Sequence, residues 1–250
     1  VQVDLSTDGL DALFGPPDPQ SAQHSQRMAC AMALQQRTCI ITGGPGTGKT
    51  TTVMRLLALL QAAHGPAPLR VMLAAPTGKA AARLNASMAQ AYAALPADWQ
   101  TALPAEAQTL HKMLGWHGLA TPLTGQRQLH ADVVVVDEAS MIDLEMMALL
   151  LQAVPTPARL VLLGDKDQLA SVEAGAVWAQ LCEGADQGHY HPSTVQWLQT
   201  QAQVDVSPWA ASQQPHQPWA QQTVMLRHSH RFDGQGGIGQ WAQAINSGNV

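Results

Sequence analysis

The sequence predicts an α/β fold in which a mostly parallel sheet is flanked by helices. Short apolar runs at 39–41, 71–75, 133–136 and 160–163 alternate with stretches that favour helix. Residues 133–136 are all valine, and an unbroken β-branched run is typical of a parallel strand buried on both faces. Strands that alternate with helices favour a sheet with crossover connections.

The helices predicted between these strands follow from local patterns. The run 39–41 ends in a glycine-rich turn, after which one helical face carries four apolar residues, Val53, Leu56, Leu57 and Leu60. The run 71–75 is followed by residues 79–94, which are rich in helix formers. Regular patterning returns at 223–231, and residues 238–245 are predicted to form a helix.

Length and composition exclude several classes of protein. With 250 residues, the chain can form one large domain or two small ones with a sizeable core. No apolar run approaches the ~20 residues of a membrane span, and the acidic amino terminus lacks a signal-sequence pattern. The three cysteines, Cys30, Cys39 and Cys182, share no metal-ligand spacing, which predicts reduced thiols in a cytoplasmic protein.

The net charge of −5 conceals an asymmetry along the chain. Residues 1–18 carry −4 and residues 132–250 carry −8, whereas residues 19–131 carry +7. A basic middle segment can attract a polyanion although the whole chain is acidic. Solvated charges also scatter unevenly by chance, so the asymmetry alone decides nothing.

The segment 43–50, GGPGTGKT, fits the phosphate-binding pattern G-x-x-x-x-G-K-[ST] between a predicted strand and a predicted helix. Glycines let successive backbone N–H groups point at phosphate oxygens, and the helix amino terminus adds its positive dipole end. The pattern predicts ATP binding, with Lys49 on the β- and γ-phosphates and Thr50 on Mg²⁺. The predicted nucleotide-binding residues of this loop are Gly43, Gly44, Pro45, Gly46, Thr47, Gly48, Lys49, Thr50 and Thr51.

An acidic pair, Asp137 and Glu138, follows the valine run directly. Because the chain also has a phosphate loop, Asp137 is predicted to hold Mg²⁺ and Glu138 to deprotonate the attacking water. The alternative is a strand end with two solvated acids, but adjacent carboxylates repel each other unless a cation lies between them.

Further motifs narrow the prediction beyond a nucleotide hydrolase. In chain order they are 75–84 (APTGKAAARL), 109–115 (TLHKMLG), 137–143 (DEASMID), 164–176 (GDKDQLASVEAGA), 227–232 (RHSHRF) and 237–246 (GIGQWAQAIN). In this order and spacing the set resembles the RecD family, which belongs to the 5′→3′ branch of superfamily-one helicases. The resemblance runs from about residue 14 to residue 250 and is weakest over 184–222. It implies a RecA-like P-loop NTPase domain.

The resemblance assigns roles around the nucleotide. Gln26 matches the glutamine that reads adenine, and a side-chain amide suits this task because it both donates and accepts. Gln168 matches the γ-phosphate sensor, and Arg231 matches the arginine that contacts the γ-phosphate. The alternatives are a solvated helix glutamine for Gln26 and a surface ion pair for Arg231.

The resemblance also implies single-stranded DNA as a partner. Hydroxyl, backbone N–H and lysine groups grip phosphates without reading sequence, which suits a motor that steps over any base. The residues that match the family's strand contacts are Pro76, Thr77, Lys79, Thr109 and His111. Lys112 lies nearby, with a solvated helix face as the alternative, and Trp116 is expected in the core rather than stacked on a base.

The domain organisation follows from the same resemblance. Residues 1–20 are expected to be an acidic lead-in from an absent amino-terminal region, and residues 21–250 the first RecA-like motor domain. Residues 184–222 are rich in Gln, Pro, Ser and Trp, which predicts an irregular insertion that is mobile or docked on a partner. We expect the second RecA-like domain to be absent, and the fragment alone to hydrolyse ATP weakly.

The predicted function is an ATP-dependent 5′→3′ DNA helicase of the exodeoxyribonuclease V complex, with RecB and RecC as partners implied by the resemblance. No membrane partner is expected. Two alternatives stay open. One is a stand-alone RecD-like or conjugative relaxase helicase; the other is a P-loop subunit that acts only as a nucleotide-dependent interaction switch. The histidine pairs His189/His191 and His228/His230 lack further ligands at suitable spacing, so no metal site is predicted there.

Overall fold

A computed structural model describes residues 7–100, 106–116, 128–168, 174–188, 190–211 and 218–229. Within these residues, six strands form one sheet: β1 (Thr38–Thr42), β2 (Val71–Ala75), β3 (Gln108–Thr109), β4 (Val133–Val136), β5 (Arg159–Gly164) and β6 (Thr223–Met225). The strand order is β3-β2-β4-β5-β1-β6, and every described pairing is parallel. This arrangement confirms the predicted α/β fold.

Helices cover both faces of the sheet. They are α1 (Thr7–Phe14), α2 (His24–Gln35), α3 (Lys49–His64), α4 (Gly78–Ala93), α5 (Leu110–Leu114), α6 (Leu144–Ala153), α7 (Ala174–Leu181) and α8 (Pro192–Gln201). In the described part of the chain, none of them is long and apolar enough to cross a membrane.

The alternation of side chains along the strands divides the core into two layers. Val133 and Val135 of β4 face the layer formed with α2, α3 and α4, whereas Val134 and Val136 face the layer formed with α5 and α6. All four valines are at most 1% exposed, as expected of a strand buried on both faces. The predicted apolar face of α3 is likewise buried.

The segment 184–222 corrects one prediction. Its described part is not an irregular insertion, because it contains α8 and two 3₁₀ turns, Ser207–Trp209 and Pro218–Gln222. Leu198, Val204 and Val206 are fully buried in the same core layer as α2. The segment therefore packs on its own domain, because its few apolar side chains are buried against the core layer that contains α2.

Residues 7–14, which belong to the expected lead-in at 1–20, form a helix that packs on the core. Leu10 is fully buried and Leu13 nearly so, both in the layer that contains α2. The guanidinium of buried Arg27 joins two segments to α2: it donates to Asp11 Oδ1 at 2.6 Å and the Gly15 carbonyl at 2.9 Å in the first, and to the Ala202 carbonyl at 3.3 Å in the second. Helix α1 thus packs against α2, and the boundary expected at residue 21 stays a prediction.

Candidate nucleotide and nucleic-acid site

The loops that follow β1, β4 and β5 meet at one edge of the sheet, because parallel strands all end on the same side. They surround a cleft of about 790 Å³. The phosphate loop forms its floor, and one wall is the face of α4 that carries Arg83 and Ser87. Asp137, Glu138 and Gln168 line the same cleft, so residues from three loops converge there.

The backbone of the phosphate loop is held in the form that a phosphate cradle requires. Gly46 and Gly48 have φ values of +78° and +85°, which side-chain-bearing residues rarely adopt. The Thr47 hydroxyl donates to the Gly44 carbonyl at 2.9 Å and closes the loop on itself. Helix α3 begins at Lys49, so its unpaired N–H groups and positive dipole end face the loop.

The ammonium group of Lys49 bonds to the loop itself. Its Nζ donates to the carbonyls of Gly43 and, at 3.2 Å, of Gly44. Both acceptors are neutral, so a phosphate oxygen is a stronger partner for the same ammonium group. Lys49 is therefore placed to exchange loop carbonyls for a phosphate.

The acidic pair lies where β4 ends. Asp137 Oδ1 accepts a hydrogen bond from the backbone N–H of Glu138 at 2.9 Å. Burial raises the pKa of Asp137 above its ordinary value, and the charges of Lys49 and Arg83 offset part of this rise. A carboxylate that burial disfavours gains most from a cation, so Asp137 together with the Thr50 hydroxyl is a donor set of hard oxygens that fits Mg²⁺.

Glu138 adopts a left-handed backbone conformation, with φ 53° and ψ 38°. Such a conformation costs about 1–3 kcal/mol in a residue that has a side chain, and it occurs often at active sites. The strain turns the chain sharply between β4 and the 3₁₀ turn Ala139–Met141.

Gln26 is buried at 3% exposure and lines the cleft. Its Nε2 donates to the Thr47 carbonyl at 3.1 Å, and its Oε1 accepts from Arg55 Nη1 at 3.3 Å. The alternative of a solvated helix glutamine is wrong, because the amide is tied to the phosphate loop. Whether it reads adenine stays a prediction.

The loop after β5 brings Gln168 to the same cleft. Its Oε1 accepts a hydrogen bond from the Ser140 hydroxyl at 3.3 Å. The loop is anchored to β1, because the Lys166 backbone N–H donates to Thr42 Oγ1 at 3.0 Å. Arg231 lies outside the described residues.

The predicted DNA contacts cluster at the amino termini of α4 and α5, the helices that follow the neighbouring strands β2 and β3. Thr77 caps α4 by accepting from the Ala80 N–H at 3.2 Å, and Thr109 caps α5 by accepting from the Lys112 N–H at 3.3 Å. Ala75 of β2 pairs with Thr109 of β3, so the two caps lie at the same edge.

The remaining residues of this set surround the caps. Pro76 is half-buried, whereas Lys79 and His111 are exposed. The His111 ring lies 5.5 Å from the Trp116 ring, and Trp116 packs against the core as expected. Helix amino termini with exposed hydroxyl and basic groups suit phosphate contacts.

Sequence reasoning missed Arg55, Arg83 and Ser140, all of which are close to the nucleotide residues in space. No local pattern distinguishes Arg55 or Arg83 from other helix arginines. Ser140 stands two residues after Glu138, and this proximity was the one available signal.

A second missed contact comes from the chain after β6. The Ser229 hydroxyl donates to the Pro45 carbonyl at 3.2 Å, so this segment touches the phosphate loop. Among the described residues, no group of three or more His, Cys, Asp or Glu side chains could hold a metal; His189 and His230 lie outside that part of the chain.

Comparison with known proteins identifies a family model and several relatives that match this chain. The family model of the AAA domain matches residues 26–174. The chain is 41% identical over 243 residues to the RecBCD enzyme subunit RecD of Haemophilus influenzae, covering 94% of this chain and 37% of that protein. It is 53% identical over 171 residues to the RecBCD enzyme subunit RecD of Mycolicibacterium smegmatis, covering 64% of this chain and 30% of that protein.

A third relative carries a different name. The chain is 36% identical over 171 residues to the ATP-dependent RecD2 DNA helicase of Deinococcus radiodurans, covering 67% of this chain and 21% of that protein. The chain thus spans 37% or less of the length of these three relatives.

Proposed function

Because the chain belongs to the AAA domain family and is the motor domain of a RecD-like superfamily-one helicase, we propose that it hydrolyses ATP to move along single-stranded DNA. The observation that carries this proposal is the convergence of Lys49, Asp137, Glu138 and Gln168 on one cleft. In the whole protein this activity is 5′→3′ DNA unwinding.

In the proposed reaction the phosphate loop binds the triphosphate. Lys49 leaves the carbonyls of Gly43 and Gly44 for the β- and γ-phosphates. Thr50 and Asp137 would hold Mg²⁺, which would supply positive charge that neutralises the phosphates. Glu138 accepts a proton from the attacking water, and Gln168 and Arg231 contact the γ-phosphate.

We propose that the two capped helix ends hold the DNA backbone. Thr77 and Lys79 at α4 and Thr109 and His111 at α5 contact phosphates, with Pro76 shaping the turn before α4. All are at the same edge of the sheet as the phosphate loop, so a change at the γ-phosphate can reach them through short loops. Contacts to phosphate alone carry no sequence preference.

We further propose that the whole protein works with RecB and RecC subunits, since its relatives from H. influenzae and M. smegmatis are named as RecBCD subunits. A stand-alone helicase is the second candidate, because the D. radiodurans relative carries the name of a separate helicase. Co-purification of the tagged full-length protein from its own cells distinguishes the two: stable RecB and RecC bands favour the first.

The experiment that tests the motor proposal is a DNA-stimulated ATPase assay on the full-length protein. Lys49→Ala should abolish turnover, whereas Glu138→Gln should bind ATP and fail to hydrolyse it, with a loss of about 10²-fold or more in each case. Arg37→Ala is the matched control, because Arg37 is an exposed cation remote from the cleft, bonded to the Thr156 carbonyl. Near-normal turnover in both cleft variants contradicts the proposal.

DNA binding provides a second readout. Affinity for single strands should fall steeply with salt, because each phosphate contact releases counterions. Lys79→Ala should reduce the slope by about one unit on a log–log plot. A flat salt response excludes the proposed grip. The DNA-stimulated ATPase assay separates a motor from a subunit that acts only as a nucleotide-dependent switch.

A further inference from the structure

We propose that Arg55 fixes the orientation of the Gln26 carboxamide and thereby makes the cleft selective for adenine over guanine nucleotides. This inference rests on the proposed function, and it adds a positioning residue for base selection. Arg55 touches the amide rather than the base.

Arg55 lies on α3, six residues after Lys49, and lines the cleft. Its Nη1 donates to Gln23 Oε1 at 3.0 Å and to Gln26 Oε1 at 3.3 Å. Its guanidinium carbon lies 4.6 Å from the centroid of the Phe14 ring, in a cation–π contact. The ring holds the guanidinium plane while Nη1 is shared between two amide oxygens.

Arg55 is half-buried, and its hydrogen-bond partners are neutral. The ion pairs among the described residues involve Arg27, Arg70 and Lys166, and none involves Arg55. Its contacts are one aromatic ring and two neutral amide oxygens. A cation kept at the cleft without a carboxylate orients those amides rather than neutralising an acid.

The chemistry of arginine decides which way the Gln26 amide faces. A guanidinium only donates, so the amide atom that it contacts must be the oxygen. On the other side, the amide nitrogen donates to the Thr47 carbonyl at 3.1 Å. A flipped amide would oppose two donors at Arg55 and two acceptors at Thr47, so the observed order is strongly preferred.

This order matters for the base. Adenine presents an amino donor beside the N7 acceptor, whereas guanine presents two acceptors, O6 and N7. A glutamine amide with fixed oxygen and nitrogen positions complements the adenine edge. Against guanine, the fixed oxygen would meet O6, and two acceptors repel each other.

Gly48 keeps room for this arrangement. A Cβ at Gly48 would lie 2.4 Å from Gln26 Nε2, so a larger residue there would displace the amide from the Thr47 side. The glycine of the phosphate loop and the arginine of α3 thus hold the two ends of the same carboxamide.

The test uses calorimetric titration of the full-length protein with ATP and with GTP. The unmodified protein should prefer ATP by at least about tenfold, the range of one well-placed amide–base pair. Arg55→Met should reduce this ratio severalfold by weakening ATP binding, while the rate at saturating ATP and DNA stays within about twofold. Arg55→Lys keeps a charge and a donor, so it should retain part of the preference.

Arg159→Met is the matched control. Arg159 is also half-buried, but it donates to the Ala33 and Gln36 carbonyls and does not line the cleft. Its loss should lower stability without changing the ratio of the ATP and GTP dissociation constants. In a Gln26→Ala background, Arg55→Met should cause no further change in that ratio, because both residues act through one amide.

The outcomes separate the two proposals. Equal weakening of ATP and GTP by Arg55→Met overturns the inference, as does an undiminished effect in the Gln26→Ala background. If the unmodified protein hydrolyses ATP but binds both nucleotides equally, the motor proposal stands and the inference fails. If it binds neither nucleotide, the motor proposal itself fails. If Arg55→Met does not fold, Arg55→Lys decides by the same ratio.

Discussion

The hydroxyl of Ser140 donates a hydrogen bond to Oε1 of Gln168 across 3.3 Å. Ser140 is buried just after the acidic pair at the end of β4, and Gln168 is exposed to the cleft on the loop after β5. The bond therefore links the residue proposed to sense the γ-phosphate with the segment that carries Glu138.

We expect Ser140→Ala to lower the DNA-stimulated ATPase rate severalfold while the dissociation constant for ATP stays unchanged. The reason is that Gln168 loses its orientation, but the phosphate loop is untouched. Stability should fall by about 1 kcal/mol, the usual value of one hydrogen bond. Steady-state kinetics and titration check this, with Ser193→Ala on the exposed face of α8 as control. A wild-type rate would show that Gln168 needs no such support.

Asp137→Asn is expected to stabilise the nucleotide-free protein at neutral pH while abolishing Mg²⁺-dependent hydrolysis. Burial raises the pKa of Asp137 in the folded state. The unfolded chain then releases its proton at lower pH than the folded chain, so stability falls as pH rises through this window and stays reduced above it. Asparagine removes the charge and keeps an oxygen for the Glu138 N–H.

The melting temperature of Asp137→Asn should therefore exceed that of the unmodified protein by a few degrees at pH 7. The two should converge as the pH falls towards about 4, the ordinary pKa of an aspartate. Thermal melts across this range measure the difference. A lower melting temperature for the variant at pH 7 would contradict the assigned burial penalty.

Gly43 and Gly44 form a matched pair for the packing of the phosphate loop. A Cβ at Gly43 would lie 2.7 Å from Thr47 Oγ1, 3.0 Å from Leu226 Cβ and 3.1 Å from the Leu226 carbonyl oxygen, whereas a Cβ at Gly44 would meet nothing within 4 Å. Gly43→Ala should lower the free energy of unfolding by roughly 1–3 kcal/mol through this crowding, and Gly44→Ala by much less. Chemical denaturation compares them, and equal losses would refute the packing argument.

Arg27→Met should release the two segments that Arg27 joins to α2. Its guanidinium bonds to Asp11 and to the carbonyls of Gly15 and Ala202, so its loss leaves these groups without their buried partner. We expect a loss of about 2 kcal/mol or more. Amide exchange should quicken in α1 and in 198–206 and stay slow in β4. Arg37→Met, at an exposed arginine, is the control, and uniform exchange changes would contradict a local role.

Strand β4 was predictable from the sequence because its own residues indicate a buried strand. Four consecutive valines can be buried only between two layers, and β4 begins and ends with them. The glycines of 43–48 likewise determine a phosphate loop, because few other residues adopt φ values near +80°. Strand order was not predictable, because it depends on which edges pair after the helices have packed.

The segment 184–222 shows where local patterns fail. Its glutamines and prolines predict an irregular chain, and only the core contacts of Leu198, Val204 and Val206 reveal that it packs on α2. Those contacts join residues more than 160 positions apart in sequence. No periodicity within the segment encodes its partner surface.

By itself, the sequence determined the chemistry of the site. The glycines of the phosphate loop, its lysine and the acidic pair after the valine run are all recognised from residue type and short spacing. Only the tertiary structure decided that Arg55 contacts Gln26, that Ser140 contacts Gln168, and that α1 and α8 belong to the domain. The physical reason is that these interactions join separate loops and helices. They exist only after the parallel sheet has brought all its carboxyl ends to one edge.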